Sequence, residues 1–183
     1  PTAHPSPTST APPQPTNTPV PPPPTNTPKP AAPRWSYDAR LVGPGQDAQG
    51  CTYGNLQIRV TVLDAGGNQL GGVWVYDRYS QQYQVTGNVD SPDWGPGETK
   101  FEYGGGGGGS LCIAQGQGGA CVSDFTRDMP CYSIPPVEDL YAAGYCECCE
   151  VGASLDRCRE LVDAGSCMGN GHYSWRVVFR RSQ

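Results

Sequence analysis

Proline and cysteine divide this chain between them: 14 of the 20 prolines fall in the first 34 residues, and all nine cysteines fall after them. Each of these prolines lacks a backbone N–H donor, and each ring restricts both itself and the residue before it to extended geometry. Residues 1–34 also hold no acidic residue and a single aliphatic side chain larger than alanine, Val20, so they have nothing from which to build a core. They are expected to form an extended polyproline II stalk or linker, with a reach on the order of 100 Å at about 3.1 Å per residue.

The stalk repeats Pro-Thr-Asn-Thr-Pro at 15–19 and 24–28. Its hydroxyl residues, Ser6, Thr8, Ser9, Thr10, Thr16, Thr18, Thr25 and Thr27, alternate with proline as in O-glycosylated stalks and are the candidate sugar-bearing positions. A bare spacer is the alternative, because proline alone accounts for stiffness. Asn17 and Asn26 are each followed by Thr-Pro and lack the third-position hydroxyl of an N-linked acceptor.

Residues 35–183 are long enough for one domain with a real core. Nine cysteines in that length indicate an oxidising compartment, and Cys51, Cys112, Cys121, Cys131, Cys146, Cys148, Cys149, Cys158 and Cys167 are all disulfide candidates. Eight can pair in about 105 ways. The ninth is left free, buried, or joined to another chain. The Cys146-Glu147-Cys148-Cys149 cluster, with His172 downstream, lacks the two separated knuckles of a structural zinc site and reads as a disulfide crossing point.

The chain carries a formal charge of −5, and removing Lys29 and Arg34 leaves 10 basic against 17 acidic residues, or −7, in the cysteine-bearing part. Such a balance opposes nucleic-acid binding, which requires a basic surface. No apolar run is long enough to span a bilayer, and no export signal opens the chain at Pro1, so on a secreted reading that signal has been removed or lies outside these residues.

Alternation begins at Trp35, Tyr37 and Leu41 and ends at Gly43-Pro44-Gly45. The clearest strand is 56–64, where Leu56, Ile58, Val60 and Val62 oppose Gln57, Arg59 and Thr61. Ala65-Gly66-Gly67-Asn68 supplies a turn before a strand over 73–77. Further strands are expected at 83–89, 99–103, 111–115 and 173–180, the last with Tyr173, Trp175, Val177 and Phe179 on one face. About seven short strands with turns between them predict an all-β, immunoglobulin-like two-sheet sandwich. Over 112–167 the alternation gives way to a cysteine-rich insert with two short helices, 137–143 and one ending near Gly165. The six glycines 104–109 are expected to form a mobile loop, or a point where another backbone approaches closely.

The stretch from Gln57 to Asp77, Q-I-R-V-T-V-L-D-A-G-G-N-Q-L-G-G-V-W-V-Y-D, resembles the opening of carboxypeptidase-regulatory-like, or Cna-B-like, prealbumin-type sandwich domains. With the Pro-Thr stalk it is similar to cell-surface proteins of filamentous bacteria of the Chloroflexota kind. The resemblance implies a surface stalk or adhesin module. Many such domains carry a lysine on the first strand for an internal isopeptide; here Arg59 stands on that strand and Lys100 is the only lysine after the stalk. Disulfides are expected in its place.

No nucleophile-base pair, zinc-protease motif or phosphate loop occurs, so no catalytic residue, metal or cofactor is assigned and the chain is not expected to be an enzyme. On the 73–77 strand, Trp74 and Tyr76 oppose Val73 and Val75. With Trp94 they are the candidate ligand or interface aromatics; the alternative is that they pack beneath the cysteine-rich insert. The leading expectation is a secreted structural subunit of a bacterial filament or surface layer, self-assembling through its extended, O-glycosylated N-terminal segment. The second is a carbohydrate-binding or adhesion module of a cell-surface protein.

Overall fold

The computed structural model describes residues 34–44, 55–88, 94–104, 106–166 and 171–182. The expected stalk up to residue 33, with Ser6, Thr8, Ser9, Thr10, Thr16, Thr18, Thr25 and Thr27, lies outside the described residues, as do Cys51 and Cys167.

The alternating segments form strands where their side chains can be sorted between core and solvent. In β2 (Gln57–Leu63) Ile58, Val60 and Val62 are fully buried, while Arg59 and Thr61 are partly exposed on the other face. In β9 (Trp175–Arg181) Trp175, Val177 and Phe179 are fully buried, and Arg176 and Arg180 face water. Between β2 and β3 (Trp74–Asp77) the chain reverses at Gly67, whose φ of +84° suits a residue without a Cβ. The Asp64 carboxylate closes this turn by accepting from the Asn68 backbone N–H at 2.8 Å.

A four-stranded sheet has the order β1-β9-β2-β5, with β1 spanning Trp35–Leu41 and β5 Glu98–Glu102. The last strand of the chain therefore lies inside the sheet, antiparallel to β1 and parallel to β2. A three-stranded sheet has the order β4-β3-β7, with β4 at Gln82–Val85 and β7 at Leu111–Ala114. The expected strand over 83–89 stops at Val85, where Gly87 turns at φ +81° and the Thr86 hydroxyl donates to the Leu70 carbonyl at 2.7 Å.

Beyond β7 the cysteine-rich insert continues this sheet. Val122 N–H donates to Ile113 O and Thr126 N–H to Leu111 O, both at 2.8 Å, and the Cys112–Cys121 disulfide clamps the run to β7. Helix α1 (Val137–Ala142) buries Leu140, and α2 (Leu155–Asp163) starts at Ser154, whose Oγ accepts from Arg157 N–H at 3.2 Å. They end before Gly144 and Gly165, both at positive φ. Cys146–Cys158 ties a 3₁₀ turn at Cys146–Cys148 to α2; Cys148 and Cys149 are disulfide-bonded as well.

Residues from both larger sheets and from the insert meet in one apolar cluster: Val60, Phe101 and Trp175 from the first sheet, Val75 and Ile113 from the second, Leu140 from α1. Each fully buried side chain of this size contributes about 1.5–3 kcal/mol. The protein is mainly β with few helices. Among the described residues no helix is long and apolar enough to cross a membrane, and the disulfides are compatible with a secreted or extracellular protein.

The glycine run is only partly the loop expected of it. Gly108–Gly109 is strand β6, paired with β8 (Met129–Pro130). A Cβ on Gly108 would collide with the Met129 carbonyl oxygen and lie 2.7 Å from Pro130 Cα, so close backbone approach, the alternative to a loop, holds at this end; one on Gly109 would press on side-chain atoms, the Tyr103 hydroxyl and Ile58 Cδ1.

Candidate binding face

Two polar arrangements stand out, one closed and one open. The closed one centres on Asp77, the last residue of β3, which shares the inward parity of Val75 and is fully buried. Its Oδ1 accepts from Ser110 N–H at 3.0 Å and Tyr79 N–H at 3.3 Å. Its Oδ2 accepts from Ser80 Oγ at 2.6 Å, Ser80 N–H at 3.1 Å and the Tyr103 hydroxyl at 3.1 Å. Five donors satisfy the buried carboxylate, as its burial requires. Burial, with the Asp77 charge nearby, pushes the Tyr103 hydroxyl well above its usual range and the Cys131 thiol up to about 12. Cys131 is buried and is the free thiol among the described cysteines. A thiol so hard to ionise is a poor nucleophile, and the cluster reads as a structural pin. Sequence reasoning missed it, although an Asp in phase with Val73 and Val75 was the available signal.

The open arrangement is the solvent face of the four-stranded sheet. Inward parity is taken by Val60, Phe101 and Val177, which leaves Arg40, Arg176, Arg59 and Lys100 pointing outward. Register sets these four in one line, since Arg40 is opposite Arg176, Arg176 opposite Arg59, and Arg59 opposite Lys100. At about 4.8 Å between strands the line spans roughly 14 Å.

Like charges directly opposite repel, and each end of the line is partly compensated. Arg40 Nε donates to Asp38 at 2.7 Å and Lys100 Nζ to Glu102 at 2.5 Å. In the middle, the Arg59 guanidinium lies over the Trp94 ring at 5.2 Å, and with its amide oxygen turned towards Arg59 the Gln57 side chain accepts from Arg59 Nε at 3.1 Å. Arg176 is exposed, and among the described residues no carboxylate pairs with it.

A groove lies at each end of the line. One, of about 480 Å³, is bounded by Asp38, Arg40 and Arg176 and by Ala142 and Ala143 at the end of α1. The other, of about 530 Å³, is bounded by Asn55, Arg59, Trp94, Lys100 and Glu102. Carboxylates, cations and an indole together suit a ligand with hydroxyls, negative charge and a small apolar face.

The candidate aromatics are not brought together. Trp94 belongs to the second groove, whereas Trp74 and Tyr76 lie on the three-stranded sheet, both half-buried. Tyr76 stacks on Tyr83 at 4.6 Å between ring centres and meets Phe125 of the insert edge-on at 6.4 Å. Arg78 lies over the other side of that cluster, 5.2 Å from the Phe125 ring. Among the described residues no group of three or more His, Cys, Asp or Glu side chains is arranged to hold a metal ion. Comparison with family models, with curated proteins and with solved structures finds no match to this chain.

Proposed function

We propose that this chain is an exported, non-enzymatic carbohydrate-binding or adhesion module, a two-sheet sandwich of prealbumin type carried on a Pro/Thr-rich, O-glycosylated stalk at a cell surface. The observation that carries the reading is the position of the chain exits. Ser182 N–H and Oγ both donate to the Arg34 carbonyl, at 2.8 and 2.9 Å, and Trp35 lies opposite Arg181. Arg34 and Ser182 therefore meet at one end of β1 and β9, and among the described residues the outer face of the four-stranded sheet carries exposed Arg40, Arg176 and Arg180.

Glycan-array binding by the full chain is the test. The expected result is selective binding that Trp94→Ala abolishes while the unfolding midpoint stays within a few degrees, as expected of a partly exposed side chain. Failure of the folded chain to bind any glycan overturns the proposal.

The filament reading comes second, favoured by β1 and β4, each an outermost strand of its sheet. An edge can accept an extended segment from another copy. Proline opposes that role, because 14 of the first 34 residues lack the N–H that a regular ladder uses. Sedimentation of the full chain separates the two readings: assembly that rises with concentration favours the filament, and a monomer at all concentrations removes it.

A further inference from the structure

We infer that the line Arg40, Arg176, Arg59, Lys100 is a track for a linear polysaccharide bearing carboxylate groups, laid across the strands from the α1 groove to Trp94; this deepens the carbohydrate-binding reading and rests on it. The first argument is charge placement. The chain as a whole is acidic at −5, yet four cations occupy one register line, and five of the eight charged groups on this face, with Arg180 against Asp38, Glu98 and Glu102, are basic. Random scatter of 12 cations over an acidic protein has no reason to align four of them across four strands whose sequence order is scrambled in space. Lining them up costs repulsion in the free protein, and a bound polyanion removes that cost.

The second argument is shape and spacing. The strands that carry successive cations are about 4.8 Å apart, close to the advance of one pyranose residue in an extended polymer. A chain running perpendicular to the strands thus meets a cation at each step. It enters one groove beside the exposed Arg40 and Arg176 and leaves through the other, which the Trp94 indole borders with Arg59 over one face of its ring.

The third argument separates a uronate polymer from nucleic acid. Asp38 and Glu102 flank the two ends of the line, each two residues along its strand from the terminal cation, at 54% and 64% side-chain exposure. Carboxylates accept hydrogen bonds from sugar hydroxyls, whereas they repel a phosphate backbone that carries a charge about every 1.7 Å of duplex. A dense polyphosphate is penalised at both ends of the line, and a carboxylated sugar chain with free hydroxyls uses both kinds of group.

The experiment titrates the full chain with polygalacturonate, neutral dextran, dextran sulfate and a single-stranded oligothymidylate, each at low and high salt. Binding is expected for polygalacturonate, weakened by salt, and reduced on the order of fivefold to tenfold in Arg40→Gln/Arg176→Gln, two exposed contacts each contributing modestly. Arg180→Gln, a cation on the same face but off the line, is expected to change it less than twofold. Neither variant touches the core, and circular dichroism confirms folding. Polygalacturonate binding that the double variant leaves unchanged overturns the inference, as does equal or tighter binding of the oligonucleotide or dextran sulfate. If a neutral glycan binds through Trp94 and polygalacturonate does not, the inference falls and the carbohydrate-binding proposal stands. If no saccharide binds, both fall.

Discussion

Single residues buried with their protons make the protein sensitive to alkali. The Cys131 thiol is raised from an ordinary 9.0 to about 12 by burial first and by the neighbouring Asp77 charge second, and the Tyr103 hydroxyl is raised by the same two causes. In the unfolded chain both ionise at their usual values. Above about pH 9 the folded state therefore holds a proton on Cys131 that the unfolded state has lost, and stability falls by up to about 1.4 kcal/mol per pH unit for each such group. The contribution is whole below the unfolded pKa and lost as pH rises towards the folded one. Urea unfolding at a series of pH values should show a flat region to about pH 9 and then a decline, shallower in Cys131→Ala between about pH 9 and 10. A decline of equal slope in the variant would remove Cys131 as its source. Asp64 works in the opposite sense: its bonds to Asn68 hold the carboxyl below its usual range, so that contribution is lost in acid.

At the scale of elements, the alternation of apolar and polar residues was enough to mark β2 and β9, because each has one buried face and a period of two is its direct record. The glycine run was harder to read. Without side chains it carries no pattern, and the need for glycine at 109 comes from Tyr103 and Ile58, residues far enough away in sequence that only the folded chain brings them together. Gly109→Ala should accordingly destabilise by about 2 kcal/mol or more, since its Cβ meets both side chains inside contact distance and must displace the Tyr103 hydroxyl from Asp77. Gly104→Ala serves as the control, because nothing lies within 4 Å of its Cβ. Equal midpoints for the two variants in denaturant would show that β6 does not press on the Asp77 cluster. The cation line was illegible for a related reason: alternation gives the face of each arginine, but only the strand order β1-β9-β2-β5 and its register bring Arg40, Arg176, Arg59 and Lys100 into a row.

Across the whole molecule, stability is shared between one apolar cluster and covalent staples that act where that cluster is thin. Cys112–Cys121 spans 9 positions and fastens the insert to β7; Cys146–Cys158 spans 12 and fastens the 3₁₀ turn to α2, a helix too short to persist alone. Closing loops of this length removes unfolded-state entropy equivalent to about 3 kcal/mol each. Net stabilities are only about 5–15 kcal/mol, so losing these two staples, even before the bonds of Cys148 and Cys149 are counted, takes a large share of the total. Thermal unfolding in a thiol reductant should therefore fall by at least roughly 10–20 °C, at about 2–4 °C per kcal/mol for a body of this size. Far-ultraviolet dichroism should lose its helical component first, because β2 and β9 are held by the shared core while α2 depends on its staple. A reduced protein that melts within a few degrees of the oxidised one would mean that the apolar cluster alone sustains the fold, and the reason for expecting an oxidising environment would go with it.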